Sequence, residues 1–284
     1  MSCNYRWYTH IVALIFIIMA QIVGAYPYAL YVNHHNIHDG GGIITQTLCL
    51  LPFVAGFGAL WFSMRYIHRD TFKSTITSRT GVDYSRVCFG FISWLILTVI
   101  YTAITPLLHP EMEIEWSFSP PQFLLLLIIG VTLLPIQTTF EELLFRGYIY
   151  RGILRYIGNR WVSMTIVAII FAGMHLSNPE IITFGFWTML AQYLVMALIF
   201  GVIACWDRGT EVTIGMHFAN NLFCMAFVVT EGTAFTSDGA LFRVASPIND
   251  YKDTVVIGVA GVIMVGLYYW KYIHKHKQKT DQIS

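Results

Sequence analysis

Residues 123–146 read FLLLLIIGVTLLPIQTTFEELLFR: the apolar run 124–139 leads directly into Phe140-Glu141-Glu142-Leu143-Leu144-Phe145-Arg146. A run of this kind is a candidate membrane helix, because crossing the hydrocarbon core takes about 20 mostly apolar residues. Two carboxylates at or near its end are expensive, since a charge at a helix centre costs roughly 2.5–3.5 kcal/mol on insertion scales. Glu142 and Arg146 are i,i+4 neighbours on one face, whereas Glu141 is turned about 100° from Glu142. Two readings stand on this segment alone. The pair snorkels to an aqueous interface beside Arg146, or it faces a bundle interior and has a use there.

Composition carries the membrane reading to the whole chain. Of 284 residues, 56% are hydrophobic and 12% charged, and the mean hydropathy is +0.60. Soluble domains carry about 25% charged residues. Eight spans are expected, at 11–32, 43–64, 87–108, 123–145, 161–174, 185–206, 212–229 and 254–272. Lipid offers no partner to backbone amides, so each should be helical. The expectation is an all-α polytopic bundle forming a single membrane domain over 1–284, with a catalytic core at about 123–229. The first apolar run has no convincing small-residue cleavage site and reads as a span rather than a signal peptide.

The basic residues alternate with the spans. Fifteen of the 17 Lys and Arg fall on one side, and the opposite loops hold only Arg243 and Lys252 together with the acidic stretch Glu111, Glu113 and Glu115. The positive-inside rule then places both termini in the cytoplasm. The net charge of +1 gives no basic excess for nucleic acid. Cys3, Cys49, Cys88, Cys205 and Cys224 form no CxxC, so neither a disulfide framework nor a zinc knuckle is indicated. The loops 65–86 and 231–253 read equally as ordered caps or mobile segments.

Two further clusters place ionisable groups at membrane depth. Phe171-Ala-Gly-Met-His175 closes the fifth run, with Phe171 and His175 on one face. If the chain turns near Gly158-Asn159, the fourth and fifth helices are antiparallel and Glu141 lies level with His175. Met216-His217-Phe218-Ala219-Asn220-Asn221 puts His217 and Asn221 at i,i+4, while Asn220 lies on another face. Taken singly, His175 reads as a hydrogen-bonded core residue and His217 with Asn221 as interhelical glue. Taken together, they supply parts for amide hydrolysis: a carboxylate to activate water, an imidazole to share the proton, and a His/Asn pair to donate to an oxyanion.

In this order on successive helices, Glu141-Glu142-x-x-x-Arg146, Phe171-x-x-x-His175 and His217-x-x-x-Asn221 resemble the three motifs of the type II CAAX prenyl endopeptidase family, also called the CAAX protease and bacteriocin-processing (CPBP) family. The resemblance covers about 123–229. It implies an intramembrane glutamic endopeptidase in which Glu141 activates water with His175, His217 and Asn221 form the oxyanion hole, and Glu142 and Arg146 support them, with Phe171 beside His175. It implies no metal and no cofactor: a Glu/His/His set could hold an ion in principle, but there is no His-Glu-x-x-His, and Asn221 suits an oxyanion. The compact length is similar to that of the bacterial branch, so a membrane-associated peptide or protein is the expected substrate, at the plasma membrane.

Other readings are a catalytically silent membrane scaffold or bacteriocin-immunity protein, and a transporter in which Glu141, Glu142, His175 and His217 line a proton path. The absence of a visible internal repeat weighs against the transporter. No Gly-x-Ser-x-Gly or Gly-x-Gly-Asp motif supports a serine or aspartyl protease. His34, His35 and His38 on the first external loop could bind a metal, but exposed loop histidines are usually bland. His274 and His276 accompany Lys275 and Lys277 at anionic lipid. One tension concerns depth: starting near Phe123, Glu141 lies about 27 Å along its helix. Either that helix continues towards Arg155 or the fifth is a short buried element.

Overall fold

The computed structural model describes residues 5–35, 42–235, 238–245, 248 and 250–274. The helices are α1 (Trp7–His35), α2 (Ile43–Leu48), α3 (Leu51–Phe62), α4 (Lys73–Ile76), α5 (Tyr84–Leu108), α6 (Pro120–Glu142), α7 (Tyr150–Ile157), α8 (Arg160–Met174), α9 (Glu180–Phe184), α10 (Phe186–Asp207), α11 (Glu211–Leu222) and α12 (Lys252–Tyr268). Three short strands join them: β1 (Ile114–Trp116), β2 (Val228–Thr230) and β3 (Phe242–Val244). Among the described residues, seven helical runs are long and apolar enough to cross a membrane. The protein is a polytopic helical membrane bundle.

The all-α, eight-span expectation needs two corrections. The segment expected to span at 212–229 is twelve residues of α11 and a five-residue π-helical turn, Phe223–Phe227. At 1.5 Å per residue that is about 26 Å, short of a hydrocarbon core of about 30 Å. Val228 then turns to extended backbone and enters a sheet of order β1-β3-β2, in which β1 and β3 are antiparallel and β2 and β3 parallel. Ile114 faces Val244 and Trp116 faces Phe242, β-branched and aromatic residues that suit a pleated surface. The 231–253 loop is therefore in part an ordered cap.

The expected turn lies where the sequence put it. Gly158 ends α7 with φ of 73°, and the Asn159 side chain caps α8 by accepting from Trp161 N at 3.0 Å and Val162 N at 3.2 Å. The fourth helix takes the longer of the two expected courses: Pro120–Ile157 is one run of 38 residues, with a π-helical stretch at Leu143–Ile149 between α6 and α7. Residues 140–148 are all buried, so this stretch is wrapped on every side.

α11 sits inside the bundle against α5, α6 and α10. It can approach α5 backbone to backbone because Gly90 and Gly215 face that seam: a Cβ on Gly90 would overlap the Val212 carbonyl, and one on Gly215 the Val87 carbonyl. Small residues at helix seams are the usual means of such packing in lipid. The outer surface carries the apolar side chains that meet lipid, among them Ile15, Val23, Ile96, Ile128, Ile169 and Val262.

The 65–86 loop is an ordered cap at the basic end. Arg79 Nη2 donates to Asp207 Oδ2 and Glu211 Oε2, both at 2.8 Å, Arg86 pairs with Asp207, and the Tyr268 hydroxyl donates to Asp207 Oδ1 at 3.0 Å. Arg86 also lies 4.0 Å over the Tyr272 ring, and Tyr5 bonds Asp70. The first and last described residues thus lie at the same end. The sheet lies at the other, where Lys252 reaches the Leu108 carbonyl at 3.3 Å. His38, His276, Lys275, Lys277 and Lys279 lie outside the described residues; His35 Nδ1 donates to the Tyr31 carbonyl at 3.0 Å, and His34 packs edge-on against it.

Candidate active site

The site is built where α6 and α11 run antiparallel. Gln137 and Glu141 occupy one face of α6 at i,i+4, His217 and Asn221 one face of α11 at the same interval. The register sets Asn221 opposite Gln137 and His217 opposite Glu141. The Asn221 amide donates to Gln137 Oε1 at 3.0 Å, and His217 Nε2 lies 3.6 Å from Glu141 Oε2. That second separation is an ion-pair distance, too long for a hydrogen bond.

The two glutamates have opposite surroundings. Glu142, at 0% exposure, has Oε1 accepting from Arg146 Nη1 at 2.9 Å and from His217 Nδ1 at 3.0 Å. Glu141 is 7% exposed, and its Oε2 is buried with no hydrogen-bond partner. Burial excludes the snorkelling alternative for the pair: Arg146, at 5% exposure, is inside as well. A buried carboxylate and guanidinium hold together only with good mutual geometry. Glu142 has that geometry through Oε1, with its Oε2 and Arg146 Nη2 left without partners, and Glu141 makes no hydrogen bond among the described residues.

Phe171 organises the remaining groups. Its ring lies 4.2 Å from the Arg146 guanidinium carbon, 4.4 Å from the His175 ring and 6.4 Å from the His217 ring. The guanidinium therefore has a π face as well as a carboxylate, an interaction that reaches about 2 kcal/mol when desolvated. His175 is half-buried just past the end of α8. Its Nδ1 donates to the Phe171 carbonyl at 2.8 Å, and the Tyr193 ring packs against it at a tilt, 5.0 Å away. With Nδ1 holding the proton, Nε2 carries the lone pair of the neutral ring. His175 has no hydrogen bond or ion pair to Glu141 among the described residues. The two histidines thus flank Phe171, with His217 on the carboxylate side.

Three residues of the site were not singled out from the sequence. Gln137 anchors Asn221, Tyr193 backs His175, and Phe200 lies 5.9 Å from His217 and 5.7 Å from Arg146. Only Gln137 had a signal, a polar side chain one helical turn before Glu141 within an apolar run. Tyr193 and Phe200 lie in α10 among apolar and aromatic neighbours with nothing to mark them. Among the described residues, no group of three or more His, Cys, Asp or Glu is placed to hold a metal ion.

Comparison with known proteins agrees with the motifs. "Uncharacterized protein YyaK" of Bacillus subtilis (strain 168) is 28% identical over 224 residues, covering 78% of this chain and 73% of that protein. No solved structure matches. Residues 118–223, which contain every motif residue from Glu141 to Asn221, match the type II CAAX prenyl endopeptidase Rce1-like family.

Proposed function

We propose that the protein is an intramembrane glutamic endopeptidase that hydrolyses a peptide bond in a membrane-associated peptide or protein. The observation that carries the reading is the contrast between the glutamates: Glu142 is held by Arg146 and His217, while the buried Oε2 of Glu141 has no hydrogen-bond partner and faces His217 Nε2 at 3.6 Å. A base needs a lone pair within reach of the proton it takes. Glu141 accepts no hydrogen bond among the described residues, whereas Glu142, although its buried Oε2 is also without a partner, is held at Oε1 by two donors.

In the proposed reaction, Glu141 takes a proton from water as the water oxygen bonds to the scissile carbonyl carbon, with His175 Nε2 accepting a second hydrogen bond from that water. The oxyanion that forms is stabilised by His217 and Asn221. For His217 this requires the imidazolium, in which Nδ1 donates to Glu142 and Nε2 donates into the site. Two carboxylates, one guanidinium and one imidazolium then sum to zero, the state a buried cluster sustains most easily. The carbon–nitrogen bond breaks as the proton held by Glu141 passes to the leaving amine. Glu142 and Gln137 act as positioning residues for His217 and Asn221. The chemistry needs no metal and no cofactor.

The catalytic core is proposed as about 123–229 of a single membrane domain, in a bacterial plasma membrane, with the basic end of the bundle and both termini in the cytoplasm. The test is cleavage of a panel of membrane-associated peptides by the purified protein in lipid, comparing wild type with Glu141→Ala and Glu142→Ala, with and without a chelator. Cleavage lost in Glu141→Ala and indifferent to the chelator is the expected result. Loss of cleavage on chelation refutes the metal-free mechanism, and partner binding without any cleavage by the wild type supports a silent scaffold instead.

A further inference from the structure

At the basic end of the bundle, a cavity of about 150 Å³ opens between the start of α1, the 65–86 loop and α7. Arg151 and Arg155 both line it, and their i,i+4 spacing puts them on one face of α7. Neither makes a hydrogen bond or ion pair among the described residues; Arg155 only lies 4.2 Å over the Tyr5 ring. Other arginines at this end are differently placed, since Arg79 and Arg86 are both tied to Asp207.

The rest of the lining adds donors and leaves little counter-charge. His10 stacks on Tyr5 and packs at a tilt against His68 and Tyr148, and its Nε2 is buried with no hydrogen-bond partner. The carboxylate on the wall is Asp70, already bonded by the Tyr5 hydroxyl and by Thr71 N at 2.6 Å. Two guanidinium groups thus face one committed carboxylate. A cavity of this size accommodates a benzene-sized group when apolar, so a tetrahedral anion has room.

The position favours one source for the anion. Trp7 and Tyr8, close to His10 in the first turns of α1, are exposed, and such aromatic residues settle at headgroup depth. Basic pockets between helices at the cytoplasmic side are suited to anionic headgroups. We propose that this cavity binds a phosphate group, supplied by the headgroup of an anionic phospholipid. Gly147 and Tyr148, from the π-helical stretch that follows Glu142, form part of its wall, so a bound headgroup would brace the segment behind the carboxylates. The site does not depend on Glu141 performing chemistry.

The test uses the purified full chain in nanodiscs of phosphatidylcholine alone, of equal phosphatidylcholine and phosphatidylglycerol, and of phosphatidylcholine with inorganic phosphate titrated in. Thermal unfolding and the phosphatidylglycerol retained per protein are read for wild type, Arg151→Gln/Arg155→Gln, the cavity-filling Ser74→Trp, and the exposed control Arg65→Gln. Phosphatidylglycerol should raise the unfolding temperature of wild type and Arg65→Gln. The double variant should lose about tenfold in affinity per arginine, as expected for charge-assisted hydrogen bonds. Ser74→Trp keeps both charges and should lose binding by occupying the space, which decides the matter if the double variant fails to fold. A response to inorganic phosphate in phosphatidylcholine would support the phosphate site and overturn the lipid source. Wild type indifferent to both probes, or all variants responding equally, overturns the proposal.

Discussion

Replacing Glu142 by Gln tests the division of labour between the two carboxylates more sharply than any loss of activity. Glu142 Oε1 accepts from Arg146 Nη1 at 2.9 Å and His217 Nδ1 at 3.0 Å, with no exposed side-chain surface. A glutamine keeps the shape and can offer a carbonyl oxygen to both donors. It removes the charge, and Arg146 becomes a buried cation without its bonded carboxylate, set against the faces of Phe171 and Phe200. Breaking one partner of a buried pair costs about 3–5 kcal/mol, a large share of a marginal stability of about 5–15 kcal/mol.

Glu141→Gln should behave in the opposite way. Oε2 of Glu141 accepts no hydrogen bond, so the substitution removes none there and gives up only the longer contact of 3.6 Å to His217 Nε2. Its stability should fall much less than that of Glu142→Gln, while cleavage falls by about 10²–10⁴-fold, the usual contribution of a general base. Equilibrium unfolding in mixed micelles against a denaturing detergent, run beside peptide cleavage, measures both. The reasoning fails if Glu142→Gln is as stable as wild type, or if Glu141→Gln is the variant that loses several kcal/mol.

Two other expectations are simpler. Gln137→Leu removes the oxygen that holds the Asn221 amide at 3.0 Å; kcat should drop by about 10–100-fold, within the range set by loss of an oxyanion donor, with KM little changed, and Gln137→Glu should restore part of the rate. At the basic end, the Asp83 carboxyl is held below its ordinary range by the Ser85 hydroxyl, against a small opposing effect of burial, and further by the Ser85 amide and Arg86. A folded value below the unfolded value of about 3.9 contributes stability above that pH, lost as pH falls through the folded value. The protection of residues 79–86 against hydrogen exchange, taken relative to the intrinsic rate at each pH, should therefore fall on acidification below about pH 4, and Asp83→Asn should show the lower protection already at neutral pH.

What the sequence made legible was whatever leaves a local periodic mark. Apolar runs gave the spans, Gly158-Asn159 gave the turn, and the i,i+4 spacings gave the faces of His217, Asn221 and Arg146. The seventh expected span, 212–229, was misread because apolar length does not distinguish a helix facing lipid from one enclosed by α5, α6 and α10. The glycines at that seam, Gly90 and Gly215, become informative only once their partners are known. The sheet was missed because its strands are three residues long and widely separated in the chain. Tyr193 and Phe200 were missed because an aromatic residue among aromatic residues carries no signal of what it touches.

The irregular turns also explain how the site keeps its register. Gln137 with Asn221 and Glu141 with His217 can both face one another only if each helix stays α-helical across that interval, because an inserted residue rotates every later side chain by about 100°. α6 stays regular through Glu142 and turns π-helical at Leu143, and α11 stays regular through Leu222 and turns π-helical at Phe223. Both departures begin two residues past the last member of the facing pairs, Glu141 on α6 and Asn221 on α11. π-Helical turns are rare and concentrate at functional sites. Here the bundle confines them beyond the paired motifs, leaving the α-helical interval to fix the geometry. Glu142 and Asn221 within that interval, and Arg146 in the π-helical stretch just beyond it, are bonded to protein partners, and Glu141 has no hydrogen bond among the described residues. Glu142 Oε2 and Arg146 Nη2 are also buried without partners, but each of those residues is bonded through another atom; Glu141 alone in the cluster has no hydrogen bond among the described residues, and that exception calls for a reason. A base awaiting water supplies one.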